Sequence, residues 1–461
     1  MCDFSGVGKR KQRDERGLSE DGAQRLGIVT RTSSPIDSKG VFDSKTGEYL
    51  PVESVAVKGE KNRQLIVKEN HSAKSRSDRW SLKYVVNEIL PKTRVSKCMV
   101  LRAPDNVNGG LRDIEVCKSD SRKKAFYHGL YACGDVWNCP ICAAKVSERR
   151  RQELKLALVA AKQQGFKSHF VTLTFPHGIS DDLNEILPKM TKAYGKLSNG
   201  KYSVKNELTK ISPNAEIHGF IRAVEVTHGK NGFHPHVHMI VFTSADVSSK
   251  LLENVYSDAW IRACRLSKLP APHPIHGCTV KDGSFAAEYA SKWGIEDEMT
   301  KANQKKARGK KGITPWGLLR CIKDGDDDEY SPERAKPLFL VYSHAFKNKR
   351  QLYWSNGLRR LLAMGEVEMS DKELADKKVD ELAKTLAVLS VEQWKEIRAK
   401  KMESLLLEVA EESGGEMLGM FISNSIGLDN FEKLPGALGR EPLAEGVPQS
   451  PCNEHIRQRS A

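Results

Sequence analysis

The 461-residue sequence reads as an α+β fold: an antiparallel β-sheet, preceded by a small zinc-binding segment and followed by a helical C-terminal region. Three observations point there. Residues 219–242, GFIRAVEVTHGKNGFHPHVHMIVF, read as a β-hairpin; the elements before them run strand, helix, strand, strand; and a cysteine cluster precedes the first of these strands.

In the hairpin, Phe220, Arg222, Val224 and Val226 take one face of the first arm, while Ile221, Ala223, Glu225 and Thr227 take the other. With Lys230 and Asn231 as the central turn residues, Glu225 lies opposite His236 and Ala223 opposite His238. Two histidines one residue apart share a strand face, and a carboxylate across the ladder, at about 5 Å between Cβ atoms, supplies a third ligand for a divalent ion. An isolated His-x-His is as easily a solvated strand face; the facing carboxylate decides. Val237, Met239 and Val241 alternate with the histidines and pack the strand on a core. His234, one step out, is read as a supporting or DNA-contacting group.

The sheet continues upstream. In HFVTLTFPHG, Val171, Leu173 and Phe175 alternate with threonines and stop at Pro176, so this strand is expected beside the histidine strand. Residues 184–197 read as a helix. After the hairpin come a helix over about 248–264, a short strand near Cys278 and a helix in SFAAEYASKWG. There Phe285, Tyr289 and Lys292 share a stripe, and the cation can stabilise a phenolate or a phosphate.

The cysteines Cys117, Cys133, Cys139 and Cys142 suggest structural zinc. Cys139-Pro-Ile-Cys142 is knuckle-like, and Cys133 with Cys117 or His128 would complete a tetrahedral shell. The following helix begins with Lys145, Arg149, Arg150 and Arg151, which could lie along a phosphate backbone or simply be solvated, and ends at Gly165.

Net charge is +15 with a pI near 9.2, and residues 366–416 are acidic at net −6, leaving +21 elsewhere. The basic part wants a polyanion. Lys305, Lys306, Arg308, Lys310 and Lys311 fall in a segment, 301–311, with six basic residues and no acid, a candidate DNA clamp. No apolar run reaches the roughly 18 residues of a membrane span, and ten unevenly spaced cysteines with no apolar leader favour a reducing cytoplasmic setting over a disulfide framework. The chain therefore divides into a disordered basic arm (1–85), a cysteine-rich segment (86–160), a sheet domain (161–362), a helical module (363–430) and a disordered tail (431–461). Within the module Ala375, Val379, Leu382, Leu386 and Leu389 step at helical spacing, and Ser390 to Gln393 forms a capping box.

VTLTF, then GFHPHVHMIVF, then AAEYASKW resemble, in that order, the three motifs of the HUH endonucleases. The similarity is closer to plasmid rolling-circle replication initiators, through the CP-x-C leader and the late TPW and RQLYWSNGL segments, and covers roughly residues 115–410. The resemblance implies an RRM-like or ferredoxin-like antiparallel layout, Mg²⁺ or Mn²⁺ on His236 and His238, and Tyr289 as the nucleophile that nicks one strand of origin DNA. It also implies a 5′-phosphotyrosine link, a 3′-OH primer, and host helicase and DNA polymerase as partners. Relaxases and transposases share this chemistry, and a non-catalytic zinc-dependent DNA-binding regulator is the alternative of another class. One departure stands out: where related initiators often carry a carboxylate or second tyrosine one turn before the nucleophile, this chain has Phe285.

Overall fold

Strand pairing sorts the chain into three antiparallel sheets in the computed structural model, which describes residues 41–43, 48–50, 71–292 and 312–426, except 326, 328, 366, 379 and 380. There are two units, Met1–Lys68 and Glu69–Ala461. In the first, β1 (Val41–Asp43) pairs with β2 (Glu48–Leu50); the rest of that unit, like the tail read over 431–461, lies outside the described residues. The second opens with α1 (His71–Ile89) and α2 (Arg94–Lys97), then β3 (Ile114–Ser119), β4 (Lys124–His128), α3 (Pro140–Gln163) and β5 (Lys167–Leu173). Next come α4 (Leu183–Ser198), α5 (Val204–Ile211), β6 (Ile217–Gly229), β7 (Gly232–Thr243), α6 (Ser249–Leu266), β8 (Cys278–Lys281) and α7 (Gly283–Lys292). The last stretch holds α8 (Pro315–Asp324), α9 (Pro332–Ala345), β9 (Leu352–Trp354), α10 (Leu358–Leu361), α11 (Asp371–Asp376), β10 (Lys384–Leu389), α12 (Val391–Ala399) and α13 (Glu403–Ile426).

The central sheet runs β8-β5-β7-β6-β9, with every neighbour antiparallel. Because side chains alternate along each strand, the sheet has two differently used faces. On one, Val171, Leu173, Val224, Val226, Val237, Met239 and Val241 join Leu183, Leu187 and Met190 of α4 and Val255 and Trp260 of α6 in the main core. Trp260 also donates its indole N–H to the Thr174 carbonyl at 2.7 Å, fastening α6 to the end of β5. On the other face Ile221, Ala223, Ile240 and Phe242 meet Leu154, Ala157 and Ala161 of α3 and Ala286 of α7. That second core covers part of the face; the same strand rows continue into Thr172, Glu225, His236 and His238.

Two glycines permit close approaches. Gly232 closes the hairpin at φ +82°, a left-handed conformation that favours glycine, and an added Cβ would sit 3.1 Å from the Gly178 carbonyl oxygen. Gly283 starts α7 against β5, where a Cβ would meet the Ser168 hydroxyl at 2.5 Å and its carbonyl oxygen at 3.1 Å.

The second sheet, β10-β3-β4, corrects the sequence reading of the C-terminal region. The apolar spacing through Leu386 and Leu389 reads as helix, yet Lys384–Leu389 is a strand that pairs with β3, Leu389 opposite Ile114. The ladder offered by the β3 edge overrides the local period, and Leu382, placed on the expected helical stripe, is 91% exposed. The capping box of Ser390 and Gln393 does open α12. The expected arm is also too long, because α1 begins at His71 and buries Trp80, Leu82 and Val86. The basic start of α3 is internal as well. Arg149 donates to the Leu374, Lys377 and Lys378 carbonyls, and Arg150 pairs with Glu153, Glu368 and Asp371 at 2.9, 3.2 and 3.2 Å. These arginines fasten residues 368–378 to the helix, so they do not lie along a phosphate backbone.

Glu411 of α13 joins the two ends of this unit. It accepts from Arg76 Nη1 and Nη2 of α1 at 2.6 and 3.2 Å and from the Ala125 backbone N–H of β4 at 3.0 Å, and both charged side chains are 9% exposed. Removing one partner of such a pair leaves a buried charge unmatched. Glu411→Ala is therefore expected to cost about 3 kcal/mol in urea unfolding, with Glu411→Gln intermediate because it can still accept the backbone bond.

Candidate metal centres

Four thiols converge at the start of α3: Cys98, Cys133, Cys139 and Cys142 are all fully buried. Sulfur separations are 3.5 Å for Cys98–Cys142, 3.6 Å for Cys133–Cys142 and 3.7 Å for Cys98–Cys139. A disulfide would need about 2.05 Å, whereas a tetrahedron of sulfurs about 2.3 Å from a central ion has edges near 3.8 Å, so the donor set fits Zn²⁺. Backbone N–H groups point at the sulfurs as they do around a thiolate: Cys133 N to Cys98 Sγ at 3.3 Å and Asp135 N to Cys133 Sγ at 3.4 Å. Hydrogen bonds from Cys133, Cys139 and Cys98 hold the Cys142 thiol well below its usual range. Cys139 is the N-cap of α3, with Pro140 in its first turn, so the positive end of the helix dipole also favours thiolates.

Cys98 replaces Cys117 in the set expected from sequence. Cys117 lies on β3, near Phe126 and Ala383, with Glu115 Oε2 at 3.6 Å and Thr385 Oγ1 at 3.8 Å, and burial pushes its thiol up to about 11. His128, the other candidate, is paired with Glu115 at 3.0 Å. Cys98 is distant in sequence and sits in no recognisable spacing. It is delivered by the backbone pairing of Met99 N with Tyr131 O and Tyr131 N with Leu101 O, both 2.8 Å.

The second group is Glu225, His236 and His238, whose ligand atoms lie within 4.8 Å of one another. The register is the one read from the turn, Glu225 opposite His236 and Ala223 opposite His238. Both imidazoles turn Nε2 toward Glu225 Oε2, at 3.4 and 3.5 Å. Their other nitrogens are occupied: His236 Nδ1 lies 3.3 Å from the His234 carbonyl oxygen and His238 Nδ1 3.0 Å from the Thr172 hydroxyl. A proton on Nδ1 donated to the carbonyl leaves the His236 Nε2 lone pair facing the carboxylate, the tautomer a metal ligand needs. Burial alone would raise the Glu225 carboxyl, but when His236 and His238 carry a proton on Nε2 their hydrogen bonds and charges outweigh it and hold the group well below the usual carboxylate range. Two imidazoles and a carboxylate meeting on one small, partly exposed patch fit a divalent cation.

Supporting groups surround the row. Phe170 of β5 stacks on His238 with ring centres 5.2 Å apart, and His177, just after β5, lies 4.5 Å from His234. Burial, followed by the charges of His236 and His177, pulls His234 down to about 4. Thr172 was visible in the sequence only as an alternating polar position. Tyr289 and Lys292 fall on α7, which packs on β5 and α3, on the face that carries the histidines; their side chains lie outside the described part. Lys305, Lys306, Arg308, Lys310 and Lys311 lie outside the described residues altogether.

Comparison with known proteins gives the family. The family described as "Replication protein" matches residues 124–402. A "Protein rep" of Streptomyces lividans is 27% identical over 353 residues, covering 62% of this chain and 76% of that protein. A "Neomycin resistance protein" of Streptomyces cyanogenus is 33% identical over 24% of the chain and 30% of its own length, and a "Protein rep" of Lentilactobacillus hilgardii 29% identical over 29% and 41%. No solved structure matches. The chain belongs to this replication protein family, that of the plasmid rolling-circle replication initiators. Among the described residues no helix is long and apolar enough to cross a membrane.

The two cysteine assignments separate cleanly in a metal assay. Cys98→Ser is expected to release one zinc per chain to a chromogenic chelator and to lower thermal stability, because thiolate binding energy is folding energy at such sites. Cys117→Ser should retain its zinc; loss from Cys117→Ser and retention by Cys98→Ser would reverse the assignment.

Proposed function

We propose that this replication initiator starts plasmid copying by nicking one strand of origin DNA through transesterification at the patch of Glu225, His236 and His238. The observation that carries this reading is that α7, the helix bearing Tyr289, packs on the same sheet face as that patch. The layout supports it too. From β5 to β8 the chain runs strand, helices, strand, strand, helix, strand, and in space these strands are ordered fourth, first, third, second, as in a ferredoxin-like or RRM-like sheet of the HUH class.

In this reading Tyr289 Oη attacks the scissile phosphorus and forms a new P–O bond. The P–O3′ bond breaks, the phenolic proton is given up, and the leaving 3′ oxygen takes a proton to become the primer hydroxyl. The products are a 5′-phosphotyrosine and a free 3′-OH. Lys292, one turn further along α7, steadies the phenolate oxygen. Glu225, His236 and His238 would hold Mg²⁺ or Mn²⁺, whose chemistry is to withdraw charge from a non-bridging phosphate oxygen. Thr172 and the His234 carbonyl set the ring orientations that keep both Nε2 atoms aimed at one point. The basic residues of 301–311 contact the DNA backbone, and the buried thiols hold structural Zn²⁺ that orders the segment before the sheet. A 3′-OH primer calls for a host polymerase, and a displaced strand for a helicase.

Tyr289→Phe keeps the ring and removes only the reacting oxygen. Incubated with supercoiled plasmid carrying the origin and Mg²⁺, it is expected to bind DNA but yield neither open circles nor a protein-linked strand. In the wild type, peptide mapping should find the nucleotide on the peptide containing AAEYASK; an adduct on another tyrosine moves the active site elsewhere. A Tyr289→Phe protein that still supports plasmid replication would favour a non-catalytic DNA-binding regulator.

His236→Ala or His238→Ala should lower nicking by about a hundredfold or more while leaving duplex binding nearly unchanged, since phosphate contacts come from elsewhere. Glu225→Gln should raise the Mg²⁺ concentration needed for half-maximal nicking more than it lowers the rate at saturating ion. Identical ion dependence in wild type and variant would remove Glu225 from the ligand set.

A further inference from the structure

The rim of the histidine patch carries an aromatic and a cation that the nicking chemistry leaves unused. Phe170, stacked on His238, pairs across the β5–β8 ladder with Lys281. The Lys281 ammonium lies 4.3 Å from the centre of the Phe285 ring. Phe285 is 40% exposed although its neighbour on α7, Ala286, is fully buried in the second core. The helix thus turns its small residue into the sheet and leaves its large apolar one at the edge of the site. A single exposed aromatic is ordinary on any surface. Here the ring is held by a cation whose strand partner, Phe170, stacks on His238.

We propose that Phe285 and Lys281 form a contact for single-stranded DNA, in which the ring stacks on an unpaired base beside the scissile position and the ammonium meets the adjoining phosphate. An aromatic with a neighbouring cation is the pairing by which single strands are held without reading their sequence. A duplex cannot use it, because its bases are already stacked on one another. The position explains why a phenylalanine suits this turn of α7: it has no group to activate a water or a second strand, but it offers a π face. The location rests on the nicking reading, whereas the test below measures binding alone.

The test uses the full-length protein without added Mg²⁺ or Mn²⁺, so that no cleavage intervenes. The probes are fluorescent oligothymidylate of about 15 nucleotides, within the range a single-strand site covers, its duplex with oligoadenylate, and an oligomer of equal length made of abasic spacers. Phe285→Leu keeps the apolar bulk and removes the π face; it is expected to bind oligothymidylate about tenfold more weakly, as loss of one stacked base implies. Phe285→Trp should bind at least as well as wild type. All three proteins should bind the duplex and the abasic oligomer alike. Lys281→Gln should reduce the slope of log affinity against log salt by about 0.7, one phosphate contact on a single strand.

Wild-type affinity of Phe285→Leu for oligothymidylate would overturn the stacking role, as would an equal loss on the abasic oligomer. An unchanged salt slope would remove Lys281. These outcomes are separable from the nicking reading. If Tyr289→Phe still nicks while Phe285→Leu loses single strands, the chemistry is misplaced and the contact stands; the reverse pattern keeps the chemistry and discards the contact.

Discussion

The site depends on one register. Because side chains alternate every residue, a slip of one position between β6 and β7 would move His236 and His238 to the main core and bring Val237 and Met239 out. The turn from Gly229 to Gly232 prevents that slip, and Gly232 does so twice, through its left-handed backbone and through the close passage of the Gly178 carbonyl. The glycine that sets the ladder therefore also lets the segment carrying His177 approach the histidine row. A carboxylate and two imidazoles meet because a two-residue turn sets Glu225 opposite His236 and Ala223 opposite His238.

Around that register the sheet is used asymmetrically. Its α4 and α6 face is an apolar core, which makes the strands a rigid base for Glu225, His236 and His238 opposite. The other face is shared between α3, α7 and the polar patch, so the patch and apolar packing compete for one surface. Small residues resolve the competition: Ala157 and Ala161 on α3, Ala223 on β6 and Ala286 on α7 let the helices sit low on one part of the face without covering the histidines. Gly283 serves the same end where α7 meets β5.

The zinc-type cluster is a second anchor, at the opposite kind of site. It is closed, with every thiol fully buried, as suits a structural ion. It joins the turn after α2, the loop before α3 and the first turn of α3 itself, and so fixes the helix that packs on the face bearing the histidines. The C-terminal strand and helix complete this region, with β10 adding to the β3 edge and Glu411 binding Arg76 and the backbone of β4. Residues from both ends of the second unit are needed to close it.

Strand alternation and the turn between Gly229 and Gly232 are local, so the hairpin, its register and the Glu225–His236–His238 grouping were legible in the sequence alone, whereas α3, read from Lys145, begins at Pro140 and takes in Cys142. The helices α4, α6, α7 and α12 were likewise legible from period and caps. What the sequence could not show is whatever depends on a distant partner. Cys98 joins the thiol cluster because Met99 and Leu101 pair with the Tyr131 backbone, while Cys117, better placed in sequence, is held by β3 facing β10. Residues 384–389 carry a helical apolar period but form a strand because β3 offers an open edge. Arg149 and Arg150 look like a DNA-facing stripe but spend their charge on carbonyls and carboxylates brought in from residues 368–378. The local chain determined which groups lie side by side along a ladder or a helix turn; tertiary pairing alone decided which of the remaining groups were left free to act, since an unfilled edge or a buried charge takes its partner from wherever the fold supplies one.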